Sequence, residues 1–273
     1  VALPTPSADT AALVTGASSG IGTELARGLA QRGHNLILVA RRAERLEDLA
    51  RELSGSHGVS VQSMPTDLAD ADARAELVRR VGELDLEVSV LVNCAGAGGF
   101  DWFLDSDPER EIQTVRLDVE AVIDLTARFA PAMVAAGRGT ILTLGSASGL
   151  QPVPGHATYS AAKAAVNTFC EALHSELAGT GVTVTVVMPG PVPSGFQEAN
   201  QATFARRLPG FVWVQPERVA RDALRAAERG RRAIIPGGPL VRLAFGPNRF
   251  APRFLGLPIA KRMSAPIQPA ARD

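Results

Sequence analysis

At 273 residues the chain is long enough for one large domain, or at most two small ones, with a sizeable core. Its 46% apolar and 21% charged residues suit a globular protein, and a formal net charge of zero gives no overall field toward nucleic acid or an anionic membrane. Two cysteines, Cys94 and Cys170, make neither a disulfide framework nor a metal-ligating pattern, so no metal site is expected and a reducing cytoplasm fits.

Residues 1–9 are Pro-rich and polar, without the charged and apolar regions of a signal peptide, and read as a loose segment. From Ala11 onward short apolar runs alternate with longer amphipathic ones. The apolar runs are Ala11–Val14, Asn35–Ala40, Val59–Met64, Val88–Asn93, Thr140–Gly145, Val182–Val187 and Ala233–Ile235. Helical patterns fill the gaps at Ile21–Arg32, Ala43–Leu53, Ala71–Val81, Pro108–Ala136, Tyr159–Ala178 and Pro216–Arg229. Strands that are almost wholly apolar and separated by helices predict a doubly wound α/β fold. In it about seven parallel strands are covered by helices on both faces, and ligands bind at the carboxyl ends of the strands. One domain is expected over residues 10–239, with a C-terminal extension over 240–273.

The first strand runs into Thr15-Gly16-Ala17-Ser18-Ser19-Gly20-Ile21-Gly22, which opens a helix. Glycines there let backbone lie close to a pyrophosphate, and free N–H groups at the helix start receive its charge. Gly16, Ser18, Ser19, Gly20, Ile21 and Gly22 are therefore candidate cofactor contacts. The spacing is G-x-x-x-G-x-G rather than G-x-G-x-x-G. The second strand ends in Ala40-Arg41-Arg42, where an NAD site would carry a carboxylate for the ribose hydroxyl; guanidinium groups favour a 2′-phosphate and hence NADP. After the third strand, Asp67 and Leu68 could face an adenine edge, or Asp67 could cap the next helix. After the fourth, Asn93, Ala95 and Gly96 begin a run of small residues against which a cofactor could lie.

The only tyrosine and one of the two lysines are four residues apart, Tyr159 and Lys163. On a helix that spacing stacks them on one face. An ammonium beside a phenol favours the phenolate and is expected to lower its pKa toward neutrality, giving a usable proton donor and acceptor. Ser146, at the end of an apolar strand, could bring a hydroxyl to the same point.

Together TGASSGIG (15–22), NCAG (93–96), Ser146, YSAAK (159–163) and the turn Pro189-Gly190-Pro191-Val192 resemble the classical short-chain dehydrogenase/reductase family. The likeness runs from about Thr10 to Ile235. It implies a Rossmann-type domain and NAD(P)-dependent interconversion of a carbonyl and an alcohol. It further implies that Tyr159 exchanges the proton with the substrate oxygen, Ser146 hydrogen-bonds that oxygen, and Lys163 holds the nicotinamide ribose. Pro189, Gly190, Val192 and Ser194 would then border the cofactor, and dimers or tetramers would form through the helices at Pro108–Ala136 and Tyr159–Ala178. Asp118 stands where the family usually has an asparagine, keeping a backbone-carbonyl role but losing an amide donor. Cys94 replaces a second asparagine, and Ser194 a threonine.

Phe100, Trp102 and Phe103, with Phe196, Phe204, Phe211 and Trp213 in an expected lid over 194–215, suit a bulky apolar substrate or pack the lid. His156, in a Pro/Gly turn, reads as structural. The basic, Pro-interrupted stretch over 240–273 could meet a membrane surface or an anionic substrate such as an acyl thioester. Packing over the lid or a subunit interface is preferred. Alternatives to the oxidoreductase are a weakly catalytic nucleotide sensor of the same fold and an epimerase- or dehydratase-type relative.

Overall fold

In the computed structural model, residues 3–99, 101–193 and 209–250 are described, with isolated positions up to 261. Seven parallel strands form one sheet in the order β3-β2-β1-β4-β5-β6-β7. They are β1 (Thr10–Thr15), β2 (Asn35–Ala40), β3 (Val61–Pro65), β4 (Glu87–Asn93), β5 (Gly139–Leu144), β6 (Val182–Val187) and β7 (Ala233–Ile234). The helices are α1 (Gly20–Ala30), α2 (Ala43–His57), α3 (Ala71–Gly82), α4 (Pro108–Val115), α5 (Ala121–Ala135), α6 (Ala157–Glu176), α7 (Pro216–Glu228) and α8 (Pro239–Phe245).

Every residue of β1 is buried, because both faces of a central parallel strand are covered. Side chains alternate between faces. Ala12 and Val14 join one apolar core with Leu25 and Leu29 of α1, Leu46 and Leu53 of α2, and Val219 and Leu224 of α7. Ala11 and Leu13 join the other with Leu77 of α3, Leu125 and Met133 of α5, and Val166 of α6. Each fully buried leucine contributes about 1.5–3 kcal/mol of transfer free energy. The chain leaves β1 toward β2 on one side and returns to β4 on the other, so the sheet reverses direction beside β1. A crevice opens at that reversal, at the carboxyl ends of the strands.

Two sequence expectations change. Asp70, not Asp67, caps α3, accepting from the N–H groups of Asp72 and Ala73 at 2.8 and 3.0 Å. Asp67 instead accepts from the N–H of Ala69 two residues on, at 3.0 Å. The single helix expected over 108–136 is broken into α4 and α5 by a five-residue π-helical segment, Arg116–Glu120. Its wider turn carries Asp118, whose side chain is fully buried.

Beyond β7 the chain stays on the body. Val241 of α8 is buried in the first core and Phe245 packs against it. Arg249 makes a bidentate ion pair with Glu171 of α6, at 2.8 and 2.5 Å. Leu240, Leu243 and Phe250 face outward. No helix among the described residues is long and apolar enough to cross a membrane.

Candidate active site

On the β1 side the crevice is lined by backbone. A side chain at Gly16 would bring its Cβ within 2.8 Å of the Ala95 nitrogen, and φ is +68° there. A Cβ at Gly22 would come 2.3 Å from the Gly16 carbonyl oxygen. Glycine is required at both, since no neighbour can move aside without moving main chain. Ser19 precedes α1 without a side-chain capping bond, so it satisfies none of the first N–H groups of the helix. Ile21 packs partly on the core.

Thr15 ties the two sides of the crevice together. Its hydroxyl donates to the Val92 carbonyl at 3.1 Å and accepts from the N–H groups of Cys94 and Ala95 at 2.9 and 3.0 Å. It was not singled out from sequence, although it directly precedes Gly16. Asn93 turns its amide to Thr126 and Thr143 at 3.2 and 3.4 Å, bracing β4 against β5 and α5.

At the end of β2 the guanidinium of Arg42 donates to the Ser18 hydroxyl at 2.9 and 3.2 Å and to its carbonyl at 3.2 Å. Arg41 and Arg42 are both exposed. Sequence offered both arginines; Arg42 is the one held against the glycine-rich turn. At the end of β3 Leu68 is buried and Asp67 exposed. Arg74, another residue that sequence missed, donates to the Leu68 carbonyl at 2.8 Å while paired with Asp124 at 2.8 Å and with Glu120. A lone arginine on a helix carries no sequence signal for such a role.

The β5 side carries the polar side chains. Ser146 follows β5, accepts from the Ser148 N–H at 3.0 Å, and is held through its carbonyl by Asn167, 3.0 Å away. Ser146 and Tyr159 share a side-chain hydrogen bond. One turn along α6, the Lys163 ammonium lies 5.7 Å from the centre of the Tyr159 ring. It donates to the Leu144 carbonyl at 3.0 Å and forms an ion pair with Asp118 at 3.2 Å. The other Asp118 oxygen accepts from the Ala97 N–H at 2.7 Å. Gly96 fits against this pair, its Cβ position 3.2 Å from Asp118.

Burial lifts the Tyr159 phenol above its ordinary pKa; Lys163 pulls it down, Asp118 pushes it up again, and Ser146 lowers it. The expected downward shift is therefore outweighed, first by burial of the phenol and then by the counter-ion that accompanies the ammonium. Burial opposes the Lys163 charge, yet Asp118 and Tyr159 hold its pKa above the usual value. Burial likewise raises Asp118 against the pull of Lys163 and the Ala97 N–H. His156 lies 5.0 Å from the Tyr159 ring, and burial pushes it down to about 4, so it is neutral in ordinary buffers. Gly99, Asp101, Phe103, Glu111 and His156 border a small cavity that reaches Tyr159.

The turn after β6 closes the crevice. The Pro189 carbonyl accepts from the Ala147 N–H at 2.9 Å, next to Ser146, and the Pro191 carbonyl from the Val214 N–H at 3.1 Å. Val192 is buried in the first core, and Gly190 lies under the Phe245 ring. Ser194, Phe100, Phe196, Phe204 and most of the expected lid lie outside the described residues.

A parallel seven-stranded sheet, with a glycine-rich turn between β1 and α1, is a Rossmann-type fold. A family model for short chain dehydrogenases matches residues 10–204. The chain belongs to that family, whose members are oxidoreductases acting on CH–OH groups. The glycine betaine reductase ATRR of Emericella nidulans is 38% identical over 179 residues, 66% of this chain but only 14% of that much longer protein. Among solved structures, a short-chain dehydrogenase from Sphingobium yanoikuyae in complex with NADPH is 30% identical, with TM-score 0.79, covering 97% of this chain and 99% of its own. A bulky-bulky ketone specific alcohol dehydrogenase from Comamonas testosteroni is 29% identical, with TM-score 0.76, covering 97% and 98%.

Proposed function

We propose that this protein is an NADP(H)-dependent oxidoreductase that interconverts a carbonyl and a secondary alcohol by hydride transfer. The observation that carries the reading is the convergence of Ser146, Tyr159 and Lys163 at the β5 side of the crevice, facing the glycine turn on the β1 side. The residues present fit the cofactor: Gly16 and Gly22 leave a main-chain cradle that a Cβ would fill, and α1 begins with uncapped N–H groups suited to a pyrophosphate. Ser18, Ser19, Gly20 and Ile21 would hold that end, with Asp67 and Leu68 at the adenine. Asn93, Ala95, Gly96, Pro189, Gly190, Val192 and Ser194 would line the nicotinamide side. Bound NADP(H) would supply or accept the hydride.

In reduction, the Tyr159 hydroxyl gives its proton to the substrate oxygen while Ser146 donates a hydrogen bond to the same atom. The oxygen's developing negative charge is thereby met as it forms. In oxidation Tyr159 takes the proton back. Lys163 orients the ribose and favours the phenolate left after transfer. Preference for the 2′-phosphate is supported by Arg42, already held at Ser18 with no carboxylate at the end of β2. A bulky substrate is supported by exposed Phe103 at the Tyr159 cavity and by the ketone-reducing neighbour.

An apolar groove of about 520 Å³ between α5 and α6, lined by Ile123, Pro131, Phe169 and Leu173, supports a homodimer or homotetramer through those helices. Residues 10–239 would form the catalytic unit and 240–273 an appended arm. Free Cys94 and Cys170 accord with a cytoplasmic protein. NADPH consumption across a panel of ketones and aldehydes of increasing bulk tests the reading. Oxidation of NADPH with bulky ketones is expected; none with any carbonyl compound refutes it.

A further inference from the structure

The charge beside the phenol is an ion pair, not an isolated ammonium. Asp118 is fully buried, and each of its oxygens faces a donor, the Ala97 N–H at 2.7 Å and the Lys163 ammonium at 3.2 Å. Burial works against the charge of Asp118, while the two donors facing the carboxyl favour the ionised form that pairs with the ammonium. A second contact of the ammonium, its hydrogen bond to the Leu144 carbonyl at 3.0 Å, fixes its place. An anion there makes ionisation of a neighbouring phenol harder, in opposition to the lysine. On the reading that Tyr159 exchanges the substrate proton, we propose that Asp118 is a positioning residue. It holds Lys163 in place and, through its charge, keeps Tyr159 protonated to higher pH, extending the range in which the carbonyl is reduced and moving alcohol oxidation to more alkaline pH.

The proton balance gives the sign. Reduction breaks the Tyr159 O–H bond and forms the alcohol O–H as a hydride from NADPH arrives at carbon, so the enzyme must enter that step as phenol. Oxidation needs the phenolate. Raising the phenol's pKa therefore moves the alkaline limit of reduction and the acid limit of oxidation upward together; the chemical equilibrium itself is untouched. The other groups around Tyr159 are not a source of the effect at neutral pH. His156 on the α6 side is neutral, and burial pushes the Cys94 and Cys170 thiols up to about 12 and 11. Ser146 is an uncharged hydroxyl. Asp101 and Glu111 border the cavity, and Arg110 pairs with Asp101 at 3.3 Å; these charges remain the same in the variants below.

The chain has one tyrosine, so its tyrosinate absorbance reads Tyr159 alone, with Tyr159→Phe as the blank. Asp118→Asn keeps the size and an oxygen to accept from the Ala97 N–H but removes the charge. The absorbance midpoint is expected to fall by about one to two pH units in Asp118→Asn, and the alkaline limb of kcat/KM for ketone reduction to fall with it. An unmoved midpoint in folded Asp118→Asn overturns the proposal. So does a wild-type profile in Asp118→Asn with a change only in Asp118→Ala, which also loses the Ala97 bond. If Asp118→Asn does not fold, Asp118→Ser, also uncharged and bearing an oxygen, is read in its place: a midpoint below that of wild type supports the proposal and an unmoved one overturns it. A midpoint that moves while the rate profile stays fixed supports the coupling and overturns Tyr159 as the proton donor.

Discussion

The two walls of the crevice are built on different physical terms. The β1 wall is main chain: Gly16, Gly22 and the uncapped start of α1 make a shape into which almost no side chain intrudes. The β5 wall is side chain: Ser146, Tyr159, Lys163 and Asp118 are interlocked by hydrogen bonds and by opposed charges out of water. A wall of backbone tolerates few substitutions but carries little tunable chemistry. Buried charge instead makes each residue's proton affinity depend on its neighbours. Thr15, at the end of β1, ties the first wall to the loop after β4, whose Ala97 N–H in turn donates to Asp118 of the second.

The sharpest way to break this contrast is Tyr159→Phe. It is expected to lower kcat by about 10²–10⁴-fold while NADPH binding, followed by fluorescence, stays within twofold of wild type. Loss of binding as well would mean that the β5 wall also shapes the cofactor site. Gly16→Val works from the opposite wall. Its side chain meets main chain and a left-handed φ, so a stability loss of about 2–3 kcal/mol and lost NADPH binding are expected in thermal melts and titrations. A variant that melts and binds normally would show the turn to be pliable. Arg42→Ala should weaken NADPH by about 10–100-fold and leave NADH within a factor of about three, since a charged hydrogen bond contributes roughly 1.5–3 kcal/mol. Equal losses for both cofactors would remove the 2′-phosphate assignment. Thr15→Val, which leaves the Cys94 and Ala95 N–H groups without their acceptor, should cost about 1–3 kcal/mol in denaturant unfolding. No change would show that the two walls stand independently.

The positions of strands and helices were legible because apolar runs and amphipathic periods report burial directly; Asn35–Ala40 and Val182–Val187 agree to the residue. The glycine turn and the Tyr159–Lys163 spacing were legible as local patterns. What sequence hid was long-range. Nothing near Asp118 indicates that a π-helical turn brings it to Lys163, 45 residues later in the chain, and the Tyr–Lys spacing alone reports neither that counter-ion nor the burial of the phenol, which together set the sign of the Tyr159 shift. Arg42 against Arg41 is decided by which way β2 turns out into α2, a matter of backbone direction that neighbouring identical residues conceal. Arg74 reaches Leu68 only because α3 folds back under its own leading loop.

Phe245 covers the turn at Gly190, where an added Cβ would lie 2.7 Å from the ring. Bulk at position 190 would therefore require the Phe245 ring to shift. A chimaera that sets this arm over a scaffold with a side chain at position 190 would have to swing the aromatic aside, so the two positions travel best together.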